Sequence, residues 1–280
     1  MKHKFLFILL FSLVLEGMVT TQAVAGDYVH QVNTLIGTKG TGLTSGYLYP
    51  GATYPYGMVQ FTPSYFSKRS GFVINQLSGG GCEHMGNFPT FPVKGKLKMS
   101  PDNILNYRIN VSEEKGHAGY YEAMVQEDIK AKLTVTERTG MASYEYPADQ
   151  QYGTIIIGGG ISATPIEQAA IVITAPNKCE GYAEGGNFCG LRTPYKVYFV
   201  AEFDTDAFET GTWKREELMP NTTFAEGEYS GVYFTFDVNK KKNIQYKIGV
   251  SYVSVENARE NLKAENFQKI QNQAEAKWNH

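Results

Sequence analysis

Residues 71–93 read GFVINQLSGGGCEHMGNFPTFPV and gather the densest set of chemically capable side chains in the chain. A short apolar run, residues 72–74, gives way to small and polar residues. Gly79, Gly80 and Gly81 carry no Cβ, so the backbone there can turn sharply and lie close to a ligand. Asn75, Gln76, Ser78, Cys82, Glu83, His84 and Asn87 put hydrogen-bonding groups onto that turn. Phe88, Pro89, Phe91 and Pro92 stiffen its exit. By itself the stretch reads first as an ordinary Gly-rich loop between strands.

Something must hold such a loop, and composition says what kind of scaffold. The 280 residues include 29 Gly, 19 Tyr and 16 Phe, with 13% aromatic and 19% charged residues. That balance describes an all-β protein. Tyr and Trp, apolar faces with a polar handle, suit sugars and β-sheet cores alike.

Lys2 and Lys4, an apolar segment over residues 5–15, and the small residues Ala23 and Ala25 make an export signal, with cleavage expected after Ala25. An apolar run that short does not span a bilayer as a helix, which needs about 20 residues. The expected product begins at Gly26, periplasmic or extracellular, with 24 basic and 27 acidic residues and a net charge of −3. No basic face is implied, and nucleic acid is disfavoured as a partner. No membrane span is expected.

In an oxidising compartment, Cys179 and Cys189 flank a Gly-rich segment that reads as a loop, and closing it by a disulfide is one expectation; two unpaired thiols is the other. Cys82 would be left over. No Cys or His spacing typical of zinc appears, and no metal ligands are expected in this chain.

Two constrained turns, Tyr49-Pro50-Gly51 and Tyr54-Pro55-Tyr56-Gly57, frame a short strand over residues 58–61 and fix several aromatics with little freedom. Residues 127–136 alternate, with Ile129, Ala131, Leu133 and Val135 on one face and Lys130, Lys132 and Thr134 on the other. Residues 141–146, 195–203, 231–238 and 243–255 follow as strands. Residues 153–157 and 170–174 are almost wholly apolar and read as buried on both faces. Strands at this spacing predict antiparallel sheets stacked as a large β-sandwich over residues 26–255. No dinucleotide fingerprint or P-loop follows a strand. Residues 256–280 read as one linker helix, with Leu262, Ile270, Ala274 and Trp278 on an apolar stripe. The stripe must pack on this sandwich or on a following domain, and further chain after His280 is expected.

Taken in order, residues 32–38 (VNTLIGT), 49–60 (YPGATYPYGMVQ), and 77–82 with 86–89 (LSGGGC, GNFP) resemble the N-terminal domain of glycoside hydrolase family 92, the secreted exo-α-mannosidases. Residues 118–121, 134–138 and 250–261 fit as well. The resemblance runs from about residue 28 to the end. It implies a β-sandwich, a helical linker and an (α/α)6 barrel, here absent, with the active site between the domains. It also implies inverting, calcium-dependent removal of terminal α-mannose. Such a mechanism needs a carboxylic acid and a carboxylate base roughly 6.5–9.5 Å apart. In the family those groups and the Ca2+ ligands lie mainly in the barrel, so neither a catalytic pair nor bound calcium is expected of these 280 residues.

By motif position the resemblance assigns Gln76, Ser78, Gly81, Cys82, Glu83, His84 and Asn87 to the substrate pocket. Its implied ligand is a mannose-containing glycan, and its implied partner a barrel, whether on the same chain or a separate one. Many members carry histidines where this chain has Ile74 and Gln76. Gln76 can bond a hydroxyl but does not titrate near neutral pH. Glu83 beside His84 reads either as a sugar-binding pair or as solvated loop. Asp102, Glu113, Glu114, Asp128 and Glu137 are not paired by spacing, and His117 reads as a turn residue. A stand-alone carbohydrate-binding module without hydrolase activity is the rival reading.

Overall fold

A computed structural model describes residues 26–38, 48–64, 71–102 and 110–280. The expected export signal, and most of the loop between the first two motifs, lie outside those residues. Seventeen strands among the described residues form two antiparallel sheets.

The first sheet has the order β1 (Ala52–Thr53), β2 (Gln60–Pro63), β3 (Phe72–Val73), β4 (Thr90–Lys94), β9 (Tyr152–Gly158), β16 (Ser230–Asp237), β13 (Glu209–Lys214), β14 (Glu217–Pro220). The second runs β15 (Phe224–Glu226), β10 (Ile166–Ala175), β11 (Lys178–Phe188), β12 (Leu191–Phe203), β17 (Asn243–Ser251), β8 (Thr139–Glu145), β7 (Ile129–Val135), β6 (Tyr120–Val125), β5 (Val111–His117).

Aromatic rings bolt the sheets together. Phe72 of the first sheet stacks on Tyr144 of the second at 6.0 Å, Phe61 meets Tyr246 edge-on at 6.1 Å, and Phe234 packs against Phe203 at 4.7 Å. Tyr246 also donates to Thr90 Oγ1 across the same core at 2.6 Å, so its hydroxyl is buried with a partner. Tyr121, Tyr144, Tyr146, Tyr233 and Tyr246 are all fully buried, and much of the aromatic content is therefore core.

The alternation over residues 127–136 is the core pattern it suggests. Ile129, Ala131, Leu133 and Val135 are each 0% exposed. Full burial of the Ile, Leu and Val side chains is worth about 1.5–3 kcal/mol each. β9 is buried on both faces, as its apolar run implies. β10 is not: it alternates, with Glu167, Gln168 and Thr174 exposed, because only its inner face meets the opposite sheet.

The C-terminal segment is two helices, not one. α1 (Val255–Asn261) is capped by Ser254, whose hydroxyl accepts from Asn257 N–H, and α2 (Phe267–Trp278) by Asn266, which accepts from Lys269 N–H. Two side chains able to cap, twelve residues apart, specify two starts. Between them Leu262 is extended, and Asn261 is tied to Val250 O by its amide at 2.8 Å. Both helices fold back on the second sheet. α1 lies so close to β17 that a Cβ on Gly249 would fall 2.5 Å from Ala258 O. Phe267 and Ile270 pack on Met141 and Tyr120. Among the described residues there is no barrel of helices, and no helix is long and apolar enough to cross a membrane.

Candidate substrate cleft

The segment after β3 returns to β4 through a loop that three devices hold. At its base, Asn75 and Asn87 bond each other. Asn75 Nδ2 donates to Asn87 Oδ1 at 3.0 Å, and Asn87 N–H donates to Asn75 Oδ1 at 2.8 Å. Tyr195 donates to Asn87 Oδ1 at 2.6 Å, and Tyr252 accepts from Asn75 at 3.3 Å. Burial pushes the Tyr195 and Tyr252 hydroxyls above their ordinary pKa, so both stay protonated.

At its tip, Cys82 is bridged to Cys189 in the turn between β11 and β12, with Cα atoms 5.3 Å apart. His84, 1% exposed, stacks on Phe188 of that hairpin at 5.5 Å and 12°. The backbone between tip and base is strained as well as clamped. Gly79 and Gly81 have φ of 77° and 73°, which glycine tolerates, but Met85 and Phe88 also sit at φ 44° and 53°. Non-glycine residues in that region cost free energy, and they persist where surrounding structure dictates them.

The bridge corrects the expected Cys179–Cys189 pairing. The residues between those two cysteines are not a loop but the long strand β11. Ten residue steps at about 3.3 Å per residue place its ends roughly 30 Å apart, against the 4.4–6.8 Å a disulfide needs. Cys179 is buried in the core and unbonded, and burial drives its thiol pKa well upward.

A cleft of about 260 Å³ opens beside the base of the loop, lined by Tyr54, Met58, Asn75, Gln76, Met85, Tyr252 and Trp278, with Thr53, Gly57, Val59, Gln60 and Leu77. Trp278, near the end of α2, is 40% exposed and donates its indole N–H to Thr53 O at 2.7 Å. Gln76 is 0% exposed, yet neither Oε1 nor Nε2 has a hydrogen-bond partner among the described residues. A buried amide left unpaired costs about 1–3 kcal/mol. A hydroxyl drawn into the cleft would relieve that cost once the wall around the amide opens to admit it.

Of the seven residues assigned by motif position, Gln76 lines this cleft. Asn87 lies beneath it and holds Asn75 in place. Ser78 accepts from Tyr49 N–H at 3.2 Å and anchors the loop. Gly81 and Glu83 are exposed, while Cys82 and His84 fasten the tip. Glu83 and His84 therefore differ in environment despite adjacency. None of Asp102, Glu113, Glu114, Asp128 and Glu137 lines the cleft. Asp128 pairs with Lys94 at 3.0 Å and Glu114 accepts from Tyr121 at 3.0 Å.

The cleft residues that sequence reasoning passes over are Tyr252 and Met85. Tyr54 belongs to the constrained turns, and Trp278 to the apolar stripe. Calcium takes six to eight oxygens, carboxylates prominent among them. The cleft walls carry no carboxylate and do not fit that ion alone.

The fold and the loop define an antiparallel β-sandwich domain with a ligand-sized cleft at one edge. Residues 31–251 match the glycosyl hydrolase family 92 N-terminal domain, and the chain belongs to that family. It is 24% identical to an uncharacterized secreted glycosidase of Arthroderma benhamiae, covering 95% of this chain and 40% of that protein. The α-mannosidase BT3965 of Bacteroides thetaiotaomicron superposes with a TM-score of 0.77 at 25% identity, over 90% of this chain and 38% of that one. The inverting mannosidase BT2199 of the same organism gives 0.70 at 22% identity, over 90% and 36%. The chain thus spans well under half the length of these relatives.

Proposed function

We propose that this chain forms one wall of the sugar pocket of an exported, inverting α-mannosidase that acts on mannose-containing glycans of glycoproteins. The observation that carries the proposal is the buried, unpartnered amide of Gln76 on a small cleft that Tyr54, Tyr252 and Trp278 also line. Aromatic faces pack on the apolar side of a sugar ring while an amide bonds its hydroxyls. The cleft volume suits one sugar unit rather than a long chain. Family membership supports mannose as that unit, and the secreted relative supports export. The acid, the base and a calcium ion would come from a barrel domain facing this wall. These 280 residues alone are then expected to bind without cleaving.

A second reading, a carbohydrate-binding module that works without a barrel, is favoured by one observation: α1 and α2 already bury Ala258, Phe267, Ile270 and Ala274 on the sandwich, leaving Trp278 at the cleft.

Titration calorimetry of the chain with methyl α-mannoside tests the binding claim. Millimolar or tighter binding, weakened at least about tenfold by Gln76→Ala, is expected; a tenfold change is 1.4 kcal/mol, within the range for one such hydrogen bond. Absence of binding, or binding indifferent to Gln76, would sink it. Calcium-dependent mannose release from an aryl α-mannoside by the chain alone would show that its own residues supply the acid and base. Binding without release, kept when the rest of a mannosidase is supplied, favours the module.

A further inference from the structure

Away from the cleft, the start and end of the described chain meet at a second cluster of chemically capable groups. Asp27 precedes the one-turn helix Val29–Gln31 and His30 lies within it, His117 ends β5, and Glu275 lies on α2. One donor atom each from His30, His117 and Glu275 falls within 4.8 Å of the others. Asp27 Oδ1 is 2.5 Å from His30 Nδ1, and His117 Nε2 is 2.8 Å from Glu275 Oε1. The two imidazole rings lie 4.5 Å apart.

We propose that His30, His117 and Glu275 bind a zinc ion that clasps the first described turn of the chain to its C-terminal helix, with Asp27 as an outer partner of His30. Two neutral imidazoles and one carboxylate are a donor set suited to a late first-row divalent cation. Four-coordinate zinc, with bonds of about 2.0–2.2 Å, sets its ligand atoms roughly 3.4 Å apart. His117 Nε2 and Glu275 Oε1 open by less than an ångström to reach that spacing, and the widest pair, within 4.8 Å, contracts. The ligand with the most freedom to move, His30, is the exposed one, at 51%.

The other two are pre-set. His117 and Glu275 are each 17% exposed. Tyr120 stacks on His117 at 5.0 Å, and Gln271 donates to Glu275 Oε1 at 2.7 Å. Outer groups of this kind orient metal ligands. The clasp is also prepared by backbone: the N–H groups of Tyr28 and Val29 donate to Asn279 Oδ1 at 3.0 and 3.1 Å. Three protein ligands leave the fourth position of a tetrahedral zinc to water. Calcium, which prefers oxygen donors alone, is the wrong ion for it. Glu275 is one turn before Trp278, so metal bound here steadies the helix that carries Trp278 to the cleft.

The test uses the untagged chain stripped with EDTA and titrated with zinc chloride against a chromogenic chelator. One zinc per chain is expected, with a rise in melting temperature and a change in the emission of Trp278, and no competition from calcium chloride. The pair His30→Ala and His117→Gln should weaken zinc at least about 100-fold, the upper end of what losing even an outer-shell partner costs. Should that pair unfold, Glu275→Gln, which keeps the bond to His117, must show the loss instead. His280→Ala should leave affinity unchanged. Weak or superstoichiometric zinc, or affinity that survives these ligand substitutions, would overturn the site and leave an ionic clasp in its place.

Discussion

Removing the Cys82–Cys189 bridge, by Cys82→Ser with Cys189→Ser, separates the two halves of the loop's support. The bridge closes 107 residues of sequence. Chain-entropy accounting gives about 4.7 kcal/mol for a loop near that length, while measured values cluster around 2–4 kcal/mol. For a domain of this size each kcal/mol moves the melting temperature by about 2–4 °C, so a fall of roughly 5–15 °C is expected. Differential scanning fluorimetry of wild type with and without reductant, beside the double variant, reads it directly. Reductant should lower the wild type and leave the variant alone. The Asn75–Asn87 pair at the base remains, so the fold should survive and its circular dichroism should be unchanged. Methyl α-mannoside binding should weaken, because the loop carrying Gln76 loses its tie to the β11–β12 hairpin. Mass spectrometry after alkylation supplies the covalent half of the test: under native conditions no thiol reacts, since Cys179 is buried and its thiolate suppressed. In denaturant one thiol reacts. A native bridge involving Cys179, or an unchanged melting temperature in the double variant, would refute the reasoning.

Three further outcomes are expected. Trp278→Ala should loosen the cleft wall and lower mannoside affinity about tenfold, seen by calorimetry, because it removes both an aromatic face and the bond to Thr53 O. Gly140→Ala would set a Cβ 2.4 Å from Ile74 Cδ1 and 2.9 Å from Phe61 Cδ1, and should cost about 1–3 kcal/mol in urea unfolding; a midpoint equal to wild type would contradict that packing. Burial acts to raise the Glu122 carboxyl, but the hydroxyl of Tyr120 and the ammonium of Lys130 outweigh it and hold its pKa below 4.5. A depressed folded pKa contributes stability above the unfolded value that is lost as pH falls through the folded one. Melting temperature should therefore decline below about pH 4.5, less steeply in Glu122→Gln.

Much of the architecture was legible in residue order because a strand's two faces are written in alternation. Ile129, Ala131, Leu133 and Val135 announced a core face, and the apolar run of β9 announced burial on both sides. The Gly-rich loop was legible as a place where backbone turns and polar groups gather, and its motifs carried the family. What local pattern could not supply was partnership at a distance. β11 looked like a loop because its glycines and polar residues obscure a strand; pairing with β10 and β12 makes it one. That single change of state moved the disulfide from Cys179 to Cys82. The cleft likewise needs Tyr54, Gln76, Tyr252 and Trp278 from four distant stretches, and the histidine–carboxylate cluster joins residues 30, 117 and 275. Sequence determined which faces are apolar and where the chain must turn, since those depend on neighbours along the chain. Tertiary structure decided which buried groups lack partners and which donors converge, because proximity between remote segments is set only once the two sheets close on their core.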